Sequence, residues 1–451
     1  MMKKKHVYLL LLCLVLTGNA VYAQSPAPDS TDGPGSVSDI DRAPSATETL
    51  AEANLLSQRA AALYQQGEYA QAVPLMEQVL AIEESVYGAS HPEVANTLSN
   101  LALLHQEQGR NNAAQPFAER ALTIRLDVLG DTHPDTAYSL DSLAGIYKDL
   151  SYYESAQQLY EQAIAIYEIA YERNAHANYL GIATSLNNLA GLYKLQGNYV
   201  TARALYERTL SIYEHTLSPA HLSIATGLNN LADLDRLEGD YETALTRYES
   251  ALAIREAQLA PQHPSIANSL NNLAALYQTQ GDFARAQPLY ERALELRKAA
   301  FGNQHPDVAA SLNNLAELHR IQEEYGIALR LHEQAYDIWQ VTRPNRHPDI
   351  ATSLNNTAEV YRALEQYSKA LELHEKSLSI RESVFGDNHP AVGTSLNNIA
   401  GVYQDMGDLE SAILFYKRAL AAMRTALGEM HPDVITIAEN LERIEDQIPE
   451  H

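Results

Sequence analysis

Cysteine is nearly missing from this chain: Cys13 is the only one in 451 residues, so no disulfide framework and no cysteine-based metal site can be built. Tryptophan also occurs once, at Trp339. Basic residues are scarce, 32 against 57 acids, giving a formal charge of −25. That balance makes nucleic acid and anionic membrane surfaces poor partners. Glycine and proline, at 21 and 18 residues, are too sparse for a wholly disordered polymer. No Gly-rich phosphate loop followed by Lys-Ser/Thr occurs, and no G-x-S-x-G. The one apolar run at the start, residues 7–16, is too short to span a bilayer.

That run lies behind Lys3, Lys4 and Lys5 and ahead of Val21-Tyr22-Ala23. A basic start, an apolar stretch and small residues before a cut make a cleaved secretory signal, so residues 1–23 are expected to be removed and the protein exported, to the periplasm or beyond. Cys13 follows Leu12, where a lipoprotein signal wants a small residue, and is expected to leave with the signal. The mature charge is then −25 − 3 = −28, with no membrane span left. Residues 24–47, rich in Pro, Ser, Gly and Asp, read as a flexible linker. Residues 448–451 are a short tail.

From Glu48 onward one pattern recurs. A marker leucine falls at Leu56, Leu98, Leu140, Leu186, Leu228, Leu270, Leu312, Leu354 and Leu396, with Ala438 as a degenerate last copy. The markers are evenly spaced throughout, except that the interval from Leu140 to Leu186 is slightly longer. A fixed period in this range signals a solenoid. Each period reads as two helices. In one copy they run over about 266–280 and 283–301, broken by Gly281. His-Pro opens most periods, as at His263-Pro264 and His305-Pro306, and proline suits the first helical turn because its missing N–H has no partner there. Alanine recurs four residues after the marker (Ala274, Ala316) and sixteen after (Ala286, Ala328). Two small residues, one per helix, let the pair approach closely, and tyrosines such as Tyr277 and Tyr290 fill the space beside them.

This pattern resembles the tetratricopeptide repeat, in the longer kinesin light chain-like form with "LNNLA" and "YERAL" helices. Its 42-residue period exceeds the usual 34, and leucine stands where the family often has tryptophan. HEAT and armadillo arrays suit the period but not the paired alanines. The resemblance implies an all-α, right-handed superhelical solenoid: nine helix pairs over 48–430 and a capping helix over 431–447, polar through Glu439, Glu442, Arg443 and Glu445. The extra residues near 172–181 lack His-Pro, so a bend is expected there.

Paired asparagines follow the marker six times, although asparagine is a mediocre helix former. At about 100° per residue, the second asparagine points opposite the buried stripe and the first lies on its flank. Since first helices line the concave groove in the family, the resemblance implies a ladder along it: Asn100, Asn188, Asn230, Asn272, Asn314, Asn356, Asn398 and Asn440, interrupted at Gln58 and Ser142. An amide both donates and accepts, so it can pair with an extended peptide backbone. The alternative is that these amides fix the repeat packing. A basic row eight residues after the marker, Lys148, Lys194, Arg236, Arg320 and Arg362, lies beside the ladder. It suits an acidic peptide or serves only as surface salt bridges.

No metal or cofactor is expected. His-Pro histidines occur once per repeat and cannot converge on one ion. His332 and His374 replace the repeat's tyrosine, which explains them by packing, and Trp339 stands alone near a helix end as a packing or rim residue. A groove enzyme, for instance one acting on glycans, would need two convergent acids; Asp233, Glu317 and Glu359 are the nearest, in separate repeats. A self-assembling array is the other alternative, and the charged terminal helix favours a monomer. The expectation is a non-enzymatic scaffold that binds protein or peptide.

Overall fold

The computed structural model describes residues 46–173, 179–343 and 346–447. The segments read as signal (1–23) and tail (448–451), nearly all of the linker (24–47), and the core of the extra segment near 172–181 lie outside them. Nineteen helices and no strand occur among the described residues, arranged as consecutive pairs. They are α1 (Ala46–Gln65) with α2 (Tyr69–Tyr87), α3 (Pro92–Glu107) with α4 (Asn111–Leu129), and α5 (Pro134–Asp149) with α6 (Tyr153–Arg173). Then follow α7 (Tyr179–Leu195) with α8 (Tyr199–Thr216), α9 (Leu222–Glu238) with α10 (Tyr241–Gln258), and α11 (Pro264–Thr279) with α12 (Phe283–Phe301). The last pairs are α13 (Pro306–Ile321) with α14 (Tyr325–Thr342), α15 (Pro348–Ala363) with α16 (Tyr367–Phe385), and α17 (Pro390–Asp405) with α18 (Leu409–Leu427), before the single α19 (Pro432–Glu445). The first helix starts two residues ahead of the repeat boundary read from the sequence.

The alanines do what their spacing implies. Ala274 and Ala316 on first helices, and Ala286 and Ala328 on second helices, are all wholly buried. With no side chain beyond Cβ, they let the paired helices close on each other, and Tyr248, Tyr290 and Trp339 fill the layer alongside. At the turn inside each pair one residue adopts a positive φ. It is glycine in most repeats, but Ser151, Glu323 and Glu365 in three.

Histidine starts the first helices, and does more than occupy a loop. Nδ1 of His263 accepts the Ser265 N–H at 3.1 Å, and Nδ1 of His347 accepts the Asp349 N–H at 3.0 Å. The same bond recurs at His91, His133, His221, His305, His389 and His431. Each satisfies one of the N–H groups that a helix start leaves without a partner.

The stack curves because odd-numbered helices touch one another as well as their partners. α3 meets α5, α5 meets α7, α9 meets α11, α11 meets α13 and α13 meets α15, whereas the backbones of successive even-numbered helices approach less closely and are bridged by long side chains, as in Arg120–Glu84 and Arg292–Glu256. The odd helices therefore form the inner, concave wall. Curvature carries the coil back onto itself. The end of α1 at Gly67 meets the start of α13 at His305-Pro306; the end of α3 at Gly109 meets His347-Pro348 of α15; the end of α7 at Gly197 meets His431-Pro432 of α19. One turn of the coil thus takes six repeats.

One link between neighbouring first helices is a carboxyl. Asp141, one residue after the marker in α5, accepts from Asn188 Nδ2 of α7 at 3.5 Å, and burial pushes its pKa from 3.8 up to about 7. Because the folded value lies above the unfolded one, folding binds the proton more tightly. The stability gained from it is full below about pH 4 and lost as pH rises through about 7. Asp141→Asn, which restores the amide found at this position in later repeats, is expected to raise the thermal midpoint. The gain should widen between those pH values by up to roughly 1.4 kcal/mol per pH unit. Equal gain at every pH in a melting series contradicts this account.

Candidate ligand groove

The inner wall carries the residues that the sequence singles out, but it engages many of them. The first asparagine of each pair is buried or half-buried rather than merely flanking. Asn313 Oδ1 accepts from His332 Nδ1 of its own second helix at 3.0 Å and from Asn356 Nδ2 of the next first helix at 3.2 Å. Asn355 Oδ1 does the same with His374 Nδ1 at 3.1 Å and Asn398 Nδ2 at 2.9 Å. One carbonyl oxygen thereby ties three helices together. His332 and His374 are wholly buried at this node, and burial lowers the His332 pKa to about 4.

The second asparagine, expected to face away from all packing, is half-buried in most repeats and bridges neighbouring first helices. Asn230 donates to Asn187, Asn356 to Asn313 and Asn398 to Asn355, and Asn188 to Asp141. Asn100 is buried, with only 4% of its surface exposed, and Asn440 accepts from Arg443 at 2.8 Å. The helical wheel misplaced this row because it considers only the partner within the pair; the next first helix supplies a second packing surface.

Three ladder positions differ, the first being Asn100, whose buried Nδ2 has no partner among the described residues. Asn272 and Asn314 are half-buried, yet their amides make no protein hydrogen bond among the described residues. For Asn314 the reason is visible next door. The amide of Asn271 orients its oxygen to the Arg297 guanidinium, at 2.9 and 3.1 Å, so it does not reach Asn314 as Asn313 reaches Asn356. Two adjacent amides, in α11 and α13, therefore remain available on the inner wall.

The basic row is also on this wall, and every member faces a carboxylate. Lys148 lies 3.5 Å from Asp149, and Lys194 and Arg236 both hold Asp233. Arg320 grips Glu317 with Nε and a terminal nitrogen at 2.8 and 2.7 Å. Arg362 lies across Gly401, where a Cβ would come within 2.8 Å of it, to reach Asp405 at 2.6 Å. The three acids considered for catalysis are these same partners. Burial would raise the pKa of Asp233, but Lys194 and Arg236 outweigh it and hold the group below the ordinary value. Glu359 is likewise buried, and is lowered by His374, Arg362 and Arg320. Both carboxyls are thus tied into the ion pairs of this wall.

The sequence reading passed over a buried row of arginines at one fixed register of the second helices: Arg125, Arg255, Arg297 and Arg381, each at most 8% exposed. They cross the seam between repeats to the serine that precedes the next marker, Ser139, Ser269, Ser311 and Ser395. Burial lowers Arg255 and Arg381 to about 10. The signal was present in the sequence as Ile-Arg or Leu-Arg at the same place in four of the copies. Among the described residues no group of histidines and acids could hold a metal ion, and no helix is long and apolar enough to cross a membrane.

Comparison with known proteins agrees with the architecture. The tetratricopeptide repeat profile matches residues 51–127, 101–169, 181–257, 265–340 and 349–425. No curated protein matches the chain. Among solved structures, BtubC (BKLC) from P. vanneervenii is similar at 23% identity and a TM-score of 0.43, over 52% of this chain and 92% of that one. A putative kinesin light chain with nearly identical TPR-like repeats from Podosopora anserina is 27% identical at a TM-score of 0.38, over 46% and 97%. With helix pairs, buried alanines and profile matches running along the array, the chain belongs to the tetratricopeptide repeat family.

Proposed function

We propose that this protein is a non-enzymatic scaffold that holds an extended polypeptide segment along the inner wall of its coil. The observation that carries this reading is the pair of amides at Asn272 and Asn314. Their counterparts Asn230, Asn356 and Asn398 are consumed in holding the repeats together, whereas these two, on helices of the inner wall, have no protein hydrogen bond among the described residues. A side-chain amide can pair with the N–H and C=O of a peptide backbone irrespective of its side chains. The remaining ladder asparagines contribute the shape of the wall. Lys148, Lys194, Arg236, Arg320 and Arg362 take a ligand carboxylate only by displacing the acids they already hold. We further propose that the scaffold acts after export, in the periplasm or outside the cell, on the strength of the basic, apolar and small-residue pattern of residues 1–23.

Two outcomes follow. The mature protein is expected to capture a partner from envelope extract, and Asn272→Ala with Asn314→Ala should lose that capture while keeping the helical signal. Undiminished capture of the same partner by the folded variant contradicts the assignment. Because the basic row is internally compensated, capture should change little as salt rises; a steep loss would show that the row itself contacts the ligand.

A further inference from the structure

The contacts between successive turns of the coil bear on what the groove can admit. At α3 and α15, Arg343 donates to the Glu107 carbonyl and lies over the Tyr69 ring at 5.2 Å. His347, whose Nδ1 already caps its helix, also bonds the Glu107 backbone. One repeat later His389 bonds the Asp149 backbone in the same way. Nε2 of His431 donates to the Leu195 carbonyl at 3.3 Å. Asn112 Nδ2 reaches the Val384 carbonyl at 3.4 Å. Apolar contact accompanies these bonds, with Ala426 and Leu427 of α18 packing against the cluster built from α5, α6 and α7. The fit is tight. A Cβ on Gly109 would stand 2.6 Å from Pro348 Cδ, and one on Gly67 would stand 3.0 Å from Pro306 Cδ. Four consecutive repeats are closed against the four that lie six positions later.

We infer that these contacts turn the groove into a side-closed bore, entered only from its ends, which fits an extended segment led by a free chain end and excludes a folded domain. This rests on the reading of the inner wall as the ligand surface. Six first helices spaced roughly 8–10 Å apart, each about 10–12 Å across with its side chains, enclose a bore on the order of 10 Å. An extended backbone, with neighbouring strands about 4.8 Å apart even in a sheet, passes through such a bore. A helix or a globular body does not.

The test uses the full chain with Cys13→Ser and a single new thiol at Ala275→Cys, on the inner wall of α11. Two probes are compared with N-ethylmaleimide: a linear Gly-Ser peptide with a terminal maleimide, and a small folded protein carrying maleimide on a short linker. Glu249→Cys on the outer helix α10 is the reference site. The peptide should label the inner thiol at close to the small-reagent rate, and the folded probe should be slower by an order of magnitude or more at this site alone. Gly109→Val combined with Arg343→Ala should remove that difference. Gly67→Val gives a second way to open the contact if the first variant loses helical signal. Equal labelling of inner and outer thiols by the folded probe in the unaltered coil overturns the inference, as does a difference that survives opening. No natural ligand enters the measurement, so its result is separate from the success or failure of the capture experiment.

Discussion

The structure depends on how closely one first helix approaches the next. Amides set that distance. Asn230 on Asn187, Asn356 on Asn313 and Asn398 on Asn355 draw the odd-numbered helices together, while the even-numbered ones are bridged by longer side chains, in the pairs Arg120–Glu84, Arg208–Glu168 and Arg292–Glu256. Inner spacing shorter than outer spacing is curvature, and repeated at each step it becomes a coil. Hydrogen bonds of this kind are worth only about 1 kcal/mol each, but each one biases its step in the same sense. Buried arginines act at the same seams. Among the described residues they have no carboxylate ion pair and bond serine hydroxyls, which supplies direction and register at a cost in desolvation.

Histidine then does two tasks with one ring. A neutral imidazole has one acceptor and one donor nitrogen. Nδ1 accepts from the helix start, and Nε2 donates to a carbonyl of the turn six repeats earlier, as His431 shows. Serine, threonine or aspartate could cap the helix, but none could also span to the next turn. The His-Pro pair thus serves local folding and long-range closure together, and glycine at Gly109 makes room for it.

Much of the fold was legible in the sequence, because a constant period repeats the same short-range argument many times. The second helix of the quoted copy was placed at 283–301, as found, and the first began at Pro264 rather than 266. The burial of His332, His374 and Trp339 followed from the positions they occupy. The asparagine rows were assigned to the inner wall with two roles left open, ligand pairing or repeat packing, because a wheel drawn for one helix cannot show a neighbour one full repeat away. Closure of the coil was still less accessible: the bond from His431 to Leu195 joins residues 236 apart. Only accumulated curvature brings them together, and no local pattern encodes that sum. Arg255 and its equivalents were legible but look like ordinary surface charge until their burial is known.

The central claim is that curvature set at the amide links closes the coil on itself every six repeats. The most direct measurement is a spin-label distance between positions 112 and 384, in a chain otherwise free of cysteine, at the ends of α3–α4 and α16. The account predicts one narrow distribution at the short limit of the method, broadening and lengthening when Asn313 and Asn355 are replaced by leucine. A broad, long distribution in the unaltered protein would contradict it.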